Sequence, residues 1–138
     1  MSTWLMDTPL LKMLTPEKAK PLLDWCEAND ASLFISAASL AHVAQGIDKL
    51  PTSQSQGAKA LRNWLDRIID RFGDRIHPVD AAIAMRAGSL LPCRTVGLPI
   101  HHFHDVLLVA TAQRHGHGLV TRRDTVFGPW TDVKIAIV

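Results

Sequence analysis

Short apolar runs separated by segments of helical periodicity constrain this chain more than any other feature. TWLM at 3–6, LFIS at 33–36, GLVT at 118–121 and VKIAIV at 133–138 are of strand length, and RIHPV at 75–79 reads as a further short strand. The first strand is expected to end at Asp7, since Asp7-Thr8-Pro9 introduces a proline that cannot donate to a ladder. Strands alternating with helices imply βαβ units, right-handed crossovers and a largely parallel sheet with helices on both faces.

The intervening segments supply the helices. LLKML precedes TPEKAKPLLDWCEAN, where Thr15 can cap, Pro16 suits the first helical position and Pro21 interrupts. Leu40, Val43, Ala44 and Ile47 recur at helical spacing, with Ser36 or Ser39 as the cap. After PTSQSQG, read as a loop, Ala58, Leu61, Leu65, Ile68 and Phe72 form the clearest amphipathic stripe, widened by Trp64 and Ile69 and stopped by Gly73. Trp25, Trp64 and Leu65 read as core or dimer packing. Asp80 can cap a helix running to Pro92, and CRTVGLPIHHF is expected to be a loop. A helix is then expected over 105–115, with Gly116 near its C-cap, and a loop over RRDTVFGPWTD.

At 138 residues and 47% apolar composition the chain can build one sizeable core, and residues 1–138 are read as a single domain. A net charge of +2 without a polybasic run permits a nucleic-acid partner but does not demand one. Cys26 and Cys93 are far apart and form no CxxC pair, which suits reduced thiols. The N-terminus lacks a basic leader and no apolar run reaches membrane-spanning length, so a cytoplasmic protein without membrane association is expected.

In an open parallel sheet, ligands sit beyond the carboxyl ends of the strands. Asp7 follows the first strand, His42 lies early in the helix after the second, Asp105 opens a helix and Asp124 follows GLVT, so all four are expected at one rim. Carboxylates gathered there would repel unless a cation neutralised them, and a divalent metal can also generate a hydroxide-like nucleophile for attack on phosphate. Each residue also has a plainer reading: Asp105 as a helix cap, His42 as a structural histidine, Asp124 as a turn residue. GxxxxGK[ST], GxGxxG, HExxH and GxSxG are all absent, which removes the commonest nucleotide-binding, zinc-protease and hydrolase readings.

LMDT, FISAASLAHVAQGI and HDVLLVATAQRHGHGLVTRRDTVF resemble the signature blocks of PIN-domain ribonucleases, in particular the VapC toxins of bacterial toxin–antitoxin pairs. The resemblance implies a PIN-like three-layer α/β/α sandwich with a mostly parallel sheet. It also implies an endoribonuclease dependent on Mg²⁺ or Mn²⁺, a homodimer, an RNA substrate and a small inhibitory antitoxin. Asp7 matches the family's first acidic ligand and Asp105 its third, with Thr8 and Thr121 at the accompanying hydroxyl positions. His42 stands where a Glu is usual, Pro9 replaces the usual Asn or Ser, and Arg123 stands where an Asp or Asn is common, with Asp124 one residue later.

Imidazole favours borderline ions over Mg²⁺, so His42 as a ligand, or as a group supporting the ligands, implies stronger activity with Mn²⁺. Arg122 and Arg123 lie beside the rim and suit RNA phosphate or solvent. HHFH lacks the spacing of a structural zinc motif and is expected to be a solvated loop. The departures at His42, Pro9 and Asp124 motivate a second reading, a PIN domain that binds RNA or protein without cutting. A receiver-like phosphoacceptor built on Asp7 is disfavoured, since paired early acids and a suitably placed late Lys are not evident.

Overall fold

Residues 2–14, 20–91, 103–121 and 135–137 are described in the computed structural model of the chain. Five strands form one sheet: β1 (Trp4–Met6), β2 (Leu33–Ser36), β3 (Ile76–His77), β4 (Gly118–Thr121) and β5 (Ile135–Ile137). Their spatial order is β3-β2-β1-β4-β5, and all four pairings are parallel. Trp4 stands opposite both Leu33 and Gly118, which places β1 at the centre of the register.

Alternation along the central strands sends side chains to two separate cores. Met6, Ile35 and Val120 pack under α1 (Thr8–Lys12), α2 (Lys20–Ala28), α3 (Ala37–Asp48) and α4 (Ser55–Phe72), with Trp64 and Phe72 as the large side chains. Leu5 and Leu119 face the other way, against α5 (Ala81–Leu90) and α6 (Phe103–His115). The result is the α/β/α sandwich that the strand and helix alternation implies.

Local chemistry sets most boundaries. Ser36 Oγ accepts from Ala38 N at 3.0 Å to cap α3, and Asp80 Oδ1 accepts from Ile83 N at 2.9 Å to cap α5. Gly73 ends α4 at φ 49 and Gly116 follows α6 at φ 70, a left-handed region that L side chains avoid. Trp64 Nε1 donates to the Leu14 carbonyl at 3.2 Å, giving the buried indole its partner. Burial pushes the Cys26 thiol up to about 11, as befits an inert core cysteine.

Three boundaries differ from expectation. Pro9 lies within the first turn of α1, where its missing N–H leaves no ladder gap, so the chain turns directly from β1 into a helix. The segment PTSQSQG is not wholly loop: a 3-10 turn at Thr52–Gln54 leads into α4 at Ser55. Helix α6 starts at Phe103 rather than 105, which puts Asp105 inside its first turn instead of at the cap, still facing the favourable end of the macrodipole. VLLVATA is apolar all round because both sides of α6 are enclosed, with Val106, Leu108, Val109, Ala110 and Ala112 fully buried. The expected Thr15 cap and the loops at 92–102 and 122–134 lie outside the described residues.

Where α6 turns into β4, histidines gather. His117 is buried, with Nδ1 2.6 Å from Thr3 Oγ1 and Nε2 2.8 Å from His77 Nε2, while His115 stacks on His77 at 3.7 Å between centroids. An N–H···N bond needs one imidazole to offer a lone pair, so the pair is held short of full protonation. Burial pushes His117 down from 6.5 to about 4, reinforced by His77 and His115, and burial followed by His115 lowers His77 as well.

A folded-state pKa below the unfolded one means that the unfolded chain binds more protons as the pH drops. This contribution to stability is therefore complete above about pH 6.5 and falls away toward pH 4. Urea unfolding midpoints should decline over that window, and His117→Gln should flatten the decline; a wild-type midpoint independent of pH between 7 and 5 would contradict this.

Candidate active site

The sheet order contains a topological switch. From β1 the chain proceeds outward through β2 and β3 on one side, then returns to place β4 and β5 on the other, so the loops after β1 and β4 part in opposite directions. Asp7 is the first residue beyond β1. Its N–H donates to the Val120 carbonyl at 3.0 Å, and its own carbonyl accepts from Leu10 N at 3.0 Å and Leu11 N at 3.2 Å. The backbone is thereby locked between the ladder and the start of α1.

The Asp7 side chain makes no cap bond to α1 and turns instead toward β4. Thr121, the last residue of that strand, donates from Oγ1 to Asp7 Oδ2 at 2.6 Å, and both residues are fully buried. Thr8 Oγ1 lies 2.7 Å from Ser39 Oγ and 2.7 Å from His104 Nε2. One hydroxyl thus ties together the starts of α1, α3 and α6. Asp105, 7% exposed, lies in the first turn of α6 immediately after His104.

Beside these groups opens a cleft of about 870 Å³ between α3 and α6, with Val79 at its edge. His42 and Gln45 line it from α3, and Phe103, His104 and Leu107 from α6. The His42 and His104 rings are 5.0 Å apart between centroids, tilted by 37°. Among the described residues no three His, Cys, Asp or Glu side chains form a group able to hold a metal, so His42 is not gathered with the two acids into a three-ligand cage.

The donor set nonetheless fits a hard divalent cation. Two carboxylates with flanking hydroxyls suit an ion that keeps several waters and takes further oxygens from a phosphate, in contrast to a closed zinc cage of nitrogen and sulfur. Asp7 and Asp105 would hold such an ion, and Thr121 would orient the Asp7 carboxylate.

Of the residues singled out in the sequence, Asp7, Thr8 and Thr121 sit at the strand-end rim, Asp105 lies in the first turn of α6 next to His104, and His42 stands on the adjoining cleft wall. Arg122, Arg123 and Asp124 lie outside the described residues. Two members were not anticipated. By sequence Ser39 is a candidate cap for α3, but Ser36 takes that task. His104, expected in a solvated loop, lies instead in α6, which begins one residue before it and carries its ring to Thr8. The available signal was its position next to Asp105, which ties its direction to the same helical turn.

A parallel α/β sandwich with a buried, hydroxyl-held carboxylate at its switch point defines the class. The PIN domain family model matches residues 10–128, and the chain belongs to the PIN-domain family.

The fold closely resembles several solved structures. FitAB bound to an IR36 DNA fragment matches with TM-score 0.80 and 23% identity, covering 98% of this chain and 94% of that one. FitAcB from Neisseria gonorrhoeae matches with TM-score 0.80 and 24% identity over 96% of each chain. VapBC2 from Rickettsia felis bound to a fragment of promoter DNA matches with TM-score 0.80 and 18% identity, covering 99% of this chain and 98% of that one. No curated protein matches the sequence. Among the described residues, no helix is long and apolar enough to cross a membrane.

Thr121→Val should remove the hydroxyl donor to Asp7 while keeping the side chain's shape, at a stability cost of about 1.5–3 kcal/mol, the range for hydrogen bonds to charged groups. Thr121→Ser should retain most of it. Equal denaturation midpoints for wild type and Thr121→Val would show that the 2.6 Å contact contributes nothing.

Proposed function

We propose that this protein is a VapC-type endoribonuclease that uses a divalent cation, Mg²⁺ or Mn²⁺, to hydrolyse RNA phosphodiesters, and that a small antitoxin restrains it. The observation that carries the reading is the Asp7 carboxylate, fully buried at the switch point and gripped by Thr121, with Asp105 on the adjoining helix turn. Carboxylates held in a fixed direction are suitable oxygen ligands for a hard divalent cation, and a cation at this rim offsets the repulsion between them. When bound, the metal supplies an activated water and neutralises charge on the attacked phosphate.

The chain's own residues have separable tasks in this reading. Asp7 and Asp105 hold the ion, Thr121 keeps the Asp7 carboxylate oriented, and Thr8 fixes the spacing of the three helix starts. Oxygen donors then set the metal preference, which suits Mg²⁺ as well as Mn²⁺. The antitoxin partner is supported by the similarity to VapBC and FitAB proteins, and a homodimeric state belongs to the same reading.

Wild-type protein should cleave single-stranded RNA in Mg²⁺ or Mn²⁺ and lose that activity in EDTA. Asp105→Asn should reduce the rate by at least about a hundredfold, since it removes a charged ligand from transition-state stabilisation of the size expected for electrostatic groups. Induced expression should arrest growth, and co-expression of the neighbouring small open reading frame should relieve it. RNA binding without cleavage under either metal would instead favour a non-cutting PIN module.

A further inference from the structure

The cleft between α3 and α6 has chemistry that a metal site alone leaves unused. Its volume of about 870 Å³ falls in the upper part of the roughly 300–1,000 Å³ range of small-ligand sites. Ala37, Ala38 and Ala41 line the α3 side with little bulk, which opens the space, and Leu107 and Phe103 supply an apolar surface opposite. Set into this surface are two planar imidazoles and one amide.

The imidazoles are not equivalent. His104 is fixed by Thr8 Oγ1 on its Nε2 at 2.7 Å, so its ring orientation is set before any ligand arrives. His42 is exposed and packs against it at 5.0 Å between centroids, too close for a third ring to enter between them. A planar ligand in the cleft therefore meets the exposed ring of His42, with His104 packed beside it. Gln45 lies three residues along α3 on the same helical face, and its amide can both donate and accept. An aromatic platform with an amide at its edge is what recognition of an unstacked RNA base requires.

We propose that this cleft is a nucleobase subsite, in which one unpaired base of the RNA substrate stacks on His42, backed by His104, while Gln45 hydrogen-bonds its edge. The proposal rests on the ribonuclease reading for its choice of ligand. It gives His42 a role different from that of a metal ligand, in keeping with the absence of a three-ligand group among the described residues. His104 couples the two sites, because it lies next to Asp105 in the chain and holds Thr8 at the rim. A base seated in the cleft thus positions its own backbone beside the carboxylates, so substrate preference depends on the cleft and hydrolysis on the acids.

The test uses the full-length protein, four fluorescent single-stranded 2′-O-methyl oligonucleotides that differ in one central base, and EDTA to prevent any metal contribution. His42→Ala should weaken binding about tenfold, the loss of one base–aromatic stack, and His42→Phe should restore it. Gln45→Ala should change the ranking of the four oligonucleotides. Mn²⁺ affinity, read by electron paramagnetic resonance, should be the same in wild type and both His42 variants.

A parallel fall in Mn²⁺ affinity in His42→Ala and His42→Phe would overturn the proposal by making His42 a ligand. So would oligonucleotide binding unchanged in His42→Ala, including the case where only the complex with the antitoxin is weakened. His42 is exposed, so loss of folding does not confound the comparison. If wild type fails to cleave RNA but keeps this binding pattern, the nuclease reading fails while the subsite stands.

Discussion

Because β1 has parallel partners on both sides, its backbone is held by two ladders at once, and the residue that leaves it can be buried without becoming mobile. Asp7 occupies that position. The ladder to β4 brings Thr121 to the same level of the sheet, where its hydroxyl reaches the Asp7 carboxylate at 2.6 Å. Everything proposed for the rim depends on this contact. A carboxylate in an exposed loop would be solvated and loosely oriented, whereas one gripped at a switch point has a defined direction.

The three helix starts are organised by a second polar contact. Thr8 is itself buried, and by meeting both Ser39 and His104 it links the first turns of α1, α3 and α6. The apolar faces of these helices belong to different cores, since α1 and α3 pack on one side of the sheet and α6 on the other. Packing alone therefore does not specify how their ends meet at the rim. Directional hydrogen bonds do, because each fails outside a narrow range of distance and angle.

Histidines contribute to two separate parts of the molecule. At the rim, His104 and His42 form the wall of the cleft; where α6 turns into β4, His77, His115 and His117 form a stacked group in which burial pushes His77 and His117 below the ordinary imidazole range. The second group ties the edge strand β3 to the beginning of β4 through a bond between two rings. Its importance is for folding, and its sensitivity is to acid.

The strand runs, the amphipathic stripe from Ala58 to Phe72, the Asp80 cap and the place of Asp7 at the end of the first strand were all determined by the sequence itself. Each depends on periodicity, capping chemistry or a motif, and these are properties of neighbouring residues in the chain. The fate of His104 could not be read in the same way, because its bond to Thr8 joins positions 96 residues apart, and that of Ser39 to Thr8 spans 31. The facing of His42 and His104 and the pairing of His77 with His117 were likewise settled only in three dimensions. Local sequence sets which element a residue occupies and which face it presents, but the partner across that face comes from another element, and only the packed sheet and helices bring the two together.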